Sequence, residues 1–262
     1  MAIRPAGVIA LPMNARYAIY FIPEPGTKLS VFGSALLGRN SESGKPTPRP
    51  VFNGLPPEDL RACTVDAGRY GLHATLKAPF FLADGFSEKD LLERAAAFAV
   101  NKRGIILPRL KLARIGFFLA LVPSGQTAED WEAVENLNAL AAETLSFFDS
   151  FRAAPSEQEL ARREPQKLSV RQRELLAKWG YPYVLDEYRF HITLTDKLHD
   201  EAQRRVLEEN LRVWLATALY ERTVVSSICV CKQAEPSSND AFTLLKRINF
   251  LKDRRQRPSR SP

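Results

Sequence analysis

Apolar and polar residues alternate between two periods along this chain, and the switches between them outline its elements. Tyr17 to Ile22 is rich in β-formers and stops at Pro23, as a strand does. Gly38 to Pro57 carries Ser, Gly, Asn and five prolines and reads as a loop. Ser87 then caps a helix to about Val100, with acids in its first turn and Leu, Ala and Phe98 recurring at helical spacing. Leu110 to Pro123 reads as paired strands. A long helix is predicted from about Thr127 to Phe151, with Trp131, Val134, Leu137, Leu140 and Leu145 as its apolar stripe. Serine caps predict shorter helices at Ser156 to Arg163 and Ser169 to Trp179, and a further helix covers roughly Asp200 to Leu219. Strands near Thr223 to Cys231 and Ala241 to Phe250 complete the body. Strands neighbour strands rather than alternating with helices, so the predicted class is α+β with antiparallel pairing, not a doubly wound sheet.

The candidate chemistry lies in two of the three histidines. Tyr70-Gly-Leu-His73-Ala-Thr75-Leu76-Lys77 and Tyr188-Arg189-Phe-His191-Ile-Thr193-Leu-Thr195 both read Tyr-x-apolar-His-x-Thr-Leu. A lone histidine on a strand is usually a packed residue; the repetition, with a same-face threonine each time, sets these two apart. Strand alternation places Leu72, Ala74, Leu76 and Ala78 on one face and His73, Thr75 and Lys77 on the other. In the second copy Phe190, Ile192 and Leu194 face a core, while Arg189, His191, Thr193 and Thr195 share the opposite face. Tyr70 and Tyr188 fall on the apolar side and read as packing residues, and His199 reads as surface or capping.

Two such strands across a cleft form an inventory suited to a phosphodiester. One imidazole takes a proton from the attacking water while the other, protonated, donates to the departing oxygen. Hydroxyls and cations hold the non-bridging oxygens, whose charge grows in the transition state. Two histidines without a carboxylate in either motif make a poor hydrolytic metal site, so neither metal nor cofactor is expected. Either histidine could serve as the base. There is no nucleophile elbow, Walker loop or dinucleotide glycine fingerprint.

Composition narrows the partners. The 262 residues include 37 Lys+Arg against 30 Asp+Glu, a net +7. The last twelve residues, LKDRRQRPSRSP, hold five of the basic residues and one acid, so the tail carries +4 and the rest +3. A Pro/Ser/Arg-rich end is expected to be disordered and to attract polyanions weakly, so nucleic acid is a possible but not the favoured partner. Cys63, Cys229 and Cys231 show no metal-ligand spacing, which points to a reducing, cytoplasmic compartment. The apolar stretch near the N-terminus is too short for a signal and is broken by Pro12, so no membrane role is expected; residues 1–12 are read as a disordered extension ahead of Met13.

The twin His-x-Thr-Leu motifs resemble the signature of the 2H phosphoesterase superfamily. Arg16 to Pro23, Arg69 to Phe80 and Trp179 to Thr195 further resemble a bacterial branch whose genes lie beside those for phosphonate breakdown. The resemblance implies a single two-lobed domain over 13–250, with pseudo-twofold symmetry and a central cleft. Its first motif lobe would span about 13–125, a helical connector about 126–180 and the second motif about 181–250. It also implies metal-independent hydrolysis of a small cyclic or nucleotide-like phosphodiester, with His73 and His191 as the acid/base pair and Thr75 and Thr193 as phosphate binders. Lys77, Arg189 and Thr195 would be auxiliary. The long connector would cover the cleft or add specificity. A different class keeps the same cleft for recognition alone, as an RNA or nucleotide binding protein; an RNA end-processing enzyme would share the residues but need a broader basic surface.

Overall fold

The computed structural model describes residues 15–163, 165–236 and 240–251. Expectations for residues 1–12, for Met13 as the start of the body and for the basic tail from Lys252 lie outside them. The strands are β1 (Arg16–Phe21), β2 (Ala74–Phe81), β3 (Ile105–Ile106), β4 (Leu110–Ile115), β5 (Phe118–Pro123), β6 (Ile192–Thr193), β7 (Val224–Val225), β8 (Ser227–Gln233) and β9 (Thr243–Asn249). The helices are α1 (Lys28–Leu37), α2 (Pro57–Ala62), α3 (Val65–Tyr70), α4 (Glu88–Ala99), α5 (Ala128–Phe147), α6 (Glu157–Arg162), α7 (Val170–Trp179), α8 (Glu201–Trp214) and α9 (Ala216–Tyr220).

The architecture is mixed α/β with antiparallel sheets. One sheet has the order β2-β1-β8-β9, a second has β4-β5-β6, and β3 pairs with β7 in a short ribbon. All of these strand pairs are antiparallel. The two motif strands, β2 and β6, are each the last strand of a sheet, and they lie against one another. This places both histidine motifs at one junction. A continuous apolar core joins Ile19 and Phe21 of β1, Leu91 and Phe98 of α4, Leu137 and Leu140 of α5 and Ile192 of β6. On the other face of β1, Ala18, Tyr20 and Ile22 pack with Cys229, Cys231 and Phe242. The three cysteines are free and buried.

The caps define the helices as the sequence indicates. Ser87, Thr127, Ser156 and Ser169 each accept from the amide three residues on, while the side chain at that third position bonds back to the cap amide. Trp131 departs from the predicted stripe and is 57% exposed, whereas Leu137, Leu140 and Leu145 are buried. It sits in the first turn of α5, ahead of the sheet that covers the rest, and lies against Gly125. The single helix expected from Asp200 to Leu219 is two, with Leu215 between them as the C-cap of α8.

Candidate active site

The first motif begins at the end of α3. Gly71 terminates that helix at φ 75°, a conformation L side chains rarely adopt, and turns the chain into β2. His73 precedes the strand, and its Nδ1 lies 2.8 Å from the Gly71 carbonyl oxygen. A carbonyl only accepts, so Nδ1 carries the proton and Nε2 of the neutral ring holds a lone pair. The Thr75 hydroxyl donates to that Nε2 at 3.3 Å. The second motif repeats the device: His191 Nδ1 is 2.8 Å from the Arg189 carbonyl oxygen, again two residues back.

His73, Thr75, His191 and Thr193 line one open cleft of about 590 Å³. The surroundings of the two rings differ. Tyr20 stacks on His73 with ring centroids 3.9 Å apart, and Tyr70 lies 6.2 Å away. Around His191 the described ring contact is Phe118, at 5.9 Å. Burial pushes the His73 imidazole down to about 4; the bond to Gly71 opposes this and the charge of His191 adds to it. His73 is thus neutral at neutral pH, and its Nε2, which accepts from the Thr75 hydroxyl, is the ring's basic atom.

The auxiliary cations are elsewhere. Lys77 was expected beside Thr75, but it is 2% exposed and faces the other side of the sheet, where its ammonium donates to the Leu145 carbonyl at 3.1 Å and pairs with Asp149 at 3.0 Å. The register explains the reversal. Tyr20 opposes Thr75 while Ile19 opposes Lys77, so β2 spends an extra residue, Leu76, on one step of β1. Such a bulge breaks alternation and aims Lys77 into the core with Ile19. Burial lowers the Lys77 pKa, and Asp149 pulls it back. Arg189 also departs from expectation: it curls back to donate to the carbonyls of Asp186 and Tyr188, at 2.9 and 2.7 Å, and does not line the cleft. The ladder of β6 begins only at Ile192, so strand alternation does not extend back to position 189. Thr195 reaches the cleft wall with its hydroxyl already committed, donating to the Asp196 carbonyl and accepting from the Leu119 amide.

Other residues supply what those three do not. Arg16, Arg163 and Lys197 line the cleft with Tyr20, Tyr70, Phe118 and Tyr181. Arg163 lies over the Tyr181 ring at 4.9 Å. Tyr70 was expected in the core; because it ends a helix rather than starting a strand, it faces the cleft and stacks on Phe242 at 5.3 Å. Tyr188 is buried, as expected of a packing residue. Asp196 links the two motif segments: its carboxylate accepts from the amides of Asp66 and Ala67 at 2.9 and 2.7 Å, in the first turn of the helix that leads into His73. Among the described residues, no three His, Cys, Asp or Glu side chains converge to hold a metal ion, and no helix is long and apolar enough to cross a membrane.

Over residues 75–242 the sequence matches the family described as "Protein of unknown function (DUF1045)". It is 40% identical over 262 residues to a Janthinobacterium sp. (strain Marseille) protein named ribose 1,5-bisphosphate phosphokinase PhnN, covering 94% of this chain and 55% of the relative. A Laribacter hongkongensis (strain HLHK9) protein of the same name is 34% identical over 251 residues, covering 90% of this chain and 52% of the relative. The chain spans about half the length of the curated relatives it matches. A solved structure titled "Crystal structure of phosphoesterase" aligns with 90% of this chain and 98% of its own at a TM-score of 0.36 and 11% identity, a likeness too slight to carry an argument.

Proposed function

The chain belongs to the DUF1045 family, and from that premise and the paired imidazoles we propose that it is a metal-independent phosphodiesterase acting on a small cyclic or nucleotide-like phosphodiester. The observation that carries this reading is the matched pair of Nδ1 contacts to backbone carbonyls, which leaves the Nε2 atom of each histidine for chemistry beside a threonine hydroxyl. The resemblance to 2H phosphoesterases agrees with it.

His73 is the base, because its imidazole stays neutral to well below neutral pH. Its Nε2 takes a proton from water as the water oxygen bonds to phosphorus. The bond from phosphorus to one ester oxygen breaks, and His191, protonated on Nε2, gives its proton to that oxygen. The product is a phosphomonoester and a free hydroxyl; His73 is left protonated and His191 neutral, and exchange with solvent restores both. Thr75 and Thr193 hold the non-bridging oxygens, and Arg16, Arg163 and Lys197 bring positive charge to the cleft.

The relatives' names put a phosphorylated pentose among the molecules those longer proteins handle, which fits a sugar-type phosphodiester and a role in phosphonate use. The aromatic wall of Tyr20, Tyr70, Phe118 and Tyr181 favours, as a second reading, recognition of a nucleotide without turnover. A screen of cyclic phosphates with His73→Ala and His191→Ala separates the two. Hydrolysis unaffected by chelator and reduced about 10²- to 10⁴-fold in each variant supports the enzyme. Binding without turnover supports recognition, and full activity in the double variant ends the acid/base reading.

A further inference from the structure

A second concavity, of about 510 Å³, is bordered by Val65, Asp66 and Gly68 of α3, and its lining includes Arg39, Arg49, Arg61 and Arg69. Asp66 is the one carboxylate among the described lining residues, and it also lines the catalytic cleft, so the groove and the cleft meet there. The Asp66 carboxylate pairs with Arg69 at 2.8 Å, leaving the groove a surplus of positive charge.

The guanidinium positions are built into the fold. Arg49 donates to the carbonyls of Leu36 and Leu37 at the end of α1, at 2.6 and 2.8 Å, and to the hydroxyl of fully buried Thr64 at 2.7 Å. Gly38, at φ 68°, makes room for it: a Cβ there would collide with the guanidinium. Arg39 donates to the Phe242 carbonyl and sits close enough to Asp240 to feel its charge. Burial lowers the pKa of Arg39 and of Arg49, and the charge of Arg61 lowers that of Arg49 further. The bonds that Arg39 and Arg49 make to neutral carbonyl and hydroxyl oxygens leave these two guanidiniums a charge that an anion would relieve. Arginine forks suit phosphate oxygens in particular.

We infer that this arginine groove is a binding site for a phosphomonoester group. Two sources supply such a group: a second phosphate on the substrate whose diester occupies the cleft, reaching past Asp66, or a free phosphorylated effector. The first source rests on the phosphodiesterase reading, whereas the binding itself does not.

Titration of the full chain with inorganic phosphate, followed by ³¹P NMR, tests the site directly. The component of binding that belongs to the groove should be lost in Arg61→Glu, be weakened in Arg69→Gln and persist in Thr193→Val, which alters only the cleft, where phosphate has a second place to bind. Arg61 is exposed in the last turn of α2, so its replacement leaves the core intact. Kinetics with a 2′,3′-cyclic mononucleotide, with and without a 5′-phosphate, then separate the sources. A substrate phosphate lowers KM about tenfold, the worth of one charge-assisted hydrogen bond. Arg61→Glu should remove that advantage and leave turnover of the unphosphorylated compound unchanged. A free effector instead changes kcat when inorganic phosphate is added, without competing with substrate. Phosphate binding that is absent, or indifferent to Arg61→Glu, overturns the inference. If no cyclic phosphate is turned over, the phosphodiesterase reading fails while the NMR titration still decides the groove.

Discussion

His73 stands on a packed floor, stacked on the buried ring of Tyr20 with Tyr70 beyond, whereas His191 stands at the edge of a three-stranded sheet with Phe118 tilted beside it. The backbone treats them alike, each Nδ1 tied to a carbonyl two residues back. The tautomer is thus shared, and what sets His73 apart is its burial, which disfavours the charged form of that ring. A pseudo-repeated motif becomes chemically asymmetric in this way: the same four positions give a ring held neutral in one half and leave the acid's part to the other. The largest effect tests that division. With a nitrophenyl diester, whose leaving group departs without a proton, His191→Ala should retain most of the wild-type rate while His73→Ala loses about 10²- to 10⁴-fold. Equal losses would remove the assignment.

The pH dependence sharpens the same contrast. Activity needs His73 neutral, so the acid limb of kcat/KM that reports the base should fall near pH 4 and not at the 6.5 of an ordinary imidazole. Stability follows the same sign. The unfolded chain takes up this proton at about 6.5 and the folded chain at about 4, so between those values the unfolded state binds more protons and stability declines as pH falls. Urea unfolding from pH 7 to 4 should show His73→Asn losing less stability than wild type; parallel curves would mean that the ring is not desolvated.

A second comparison concerns the two cations in the motif strings, Lys77, four residues after the first histidine, and Arg189, two residues before the second. Lys77 is buried against Asp149 and Leu145, and Arg189 lies on the surface over its own backbone. Removing one partner of a buried pair costs about 3 kcal/mol, reduced here because Asp149 keeps Arg152 at 2.9 Å. Lys77→Ala should therefore lower the denaturation midpoint clearly, and Arg189→Ala should change stability by no more than about 0.5 kcal/mol. Similar effects in both would mean that the bulge at Leu76 does not bury Lys77 as described.

These two residues also mark where the sequence stopped being informative. Capped helices and apolar strands were legible because local chemistry writes them: a serine or threonine three residues before its acid or glutamine, a β-rich run before a proline. The four residues placed in the cleft, His73, Thr75, His191 and Thr193, were legible because two near-identical strings repeat the pair. Lys77 was misplaced because a bulge is fixed by pairing with β1, a partner more than fifty residues away. Arg189 was misplaced because only Ile192 and Thr193 of the second motif join a ladder. Arg16, Arg163 and Tyr181 lie outside the twin histidine strings; they reach the cleft from three separate segments that only the tertiary fold brings together.

The last contrast is between the histidines and a residue that links the segments carrying them. Asp196, just past the second motif, accepts from the amides of Asp66 and Ala67, while its own amide donates to the Cys63 carbonyl at 2.8 Å. The carboxylate serves the first turn of α3 from another part of the chain, where a local cap would stand; Thr64, at the cap position, makes no side-chain capping bond. Asp196→Ala leaves both amides to water and should cost about 1 kcal/mol, the usual worth of a cap. Because α3 ends at Gly71, whose carbonyl sets the tautomer of His73, the loss should also reduce kcat, and more than it raises KM for an unphosphorylated cyclic substrate. Asp196→Asn keeps an oxygen acceptor and should recover part of both. If Asp196→Ala lowers stability but leaves kcat at the wild-type value, the two halves are aligned by the apolar contact of β2 with β6 alone.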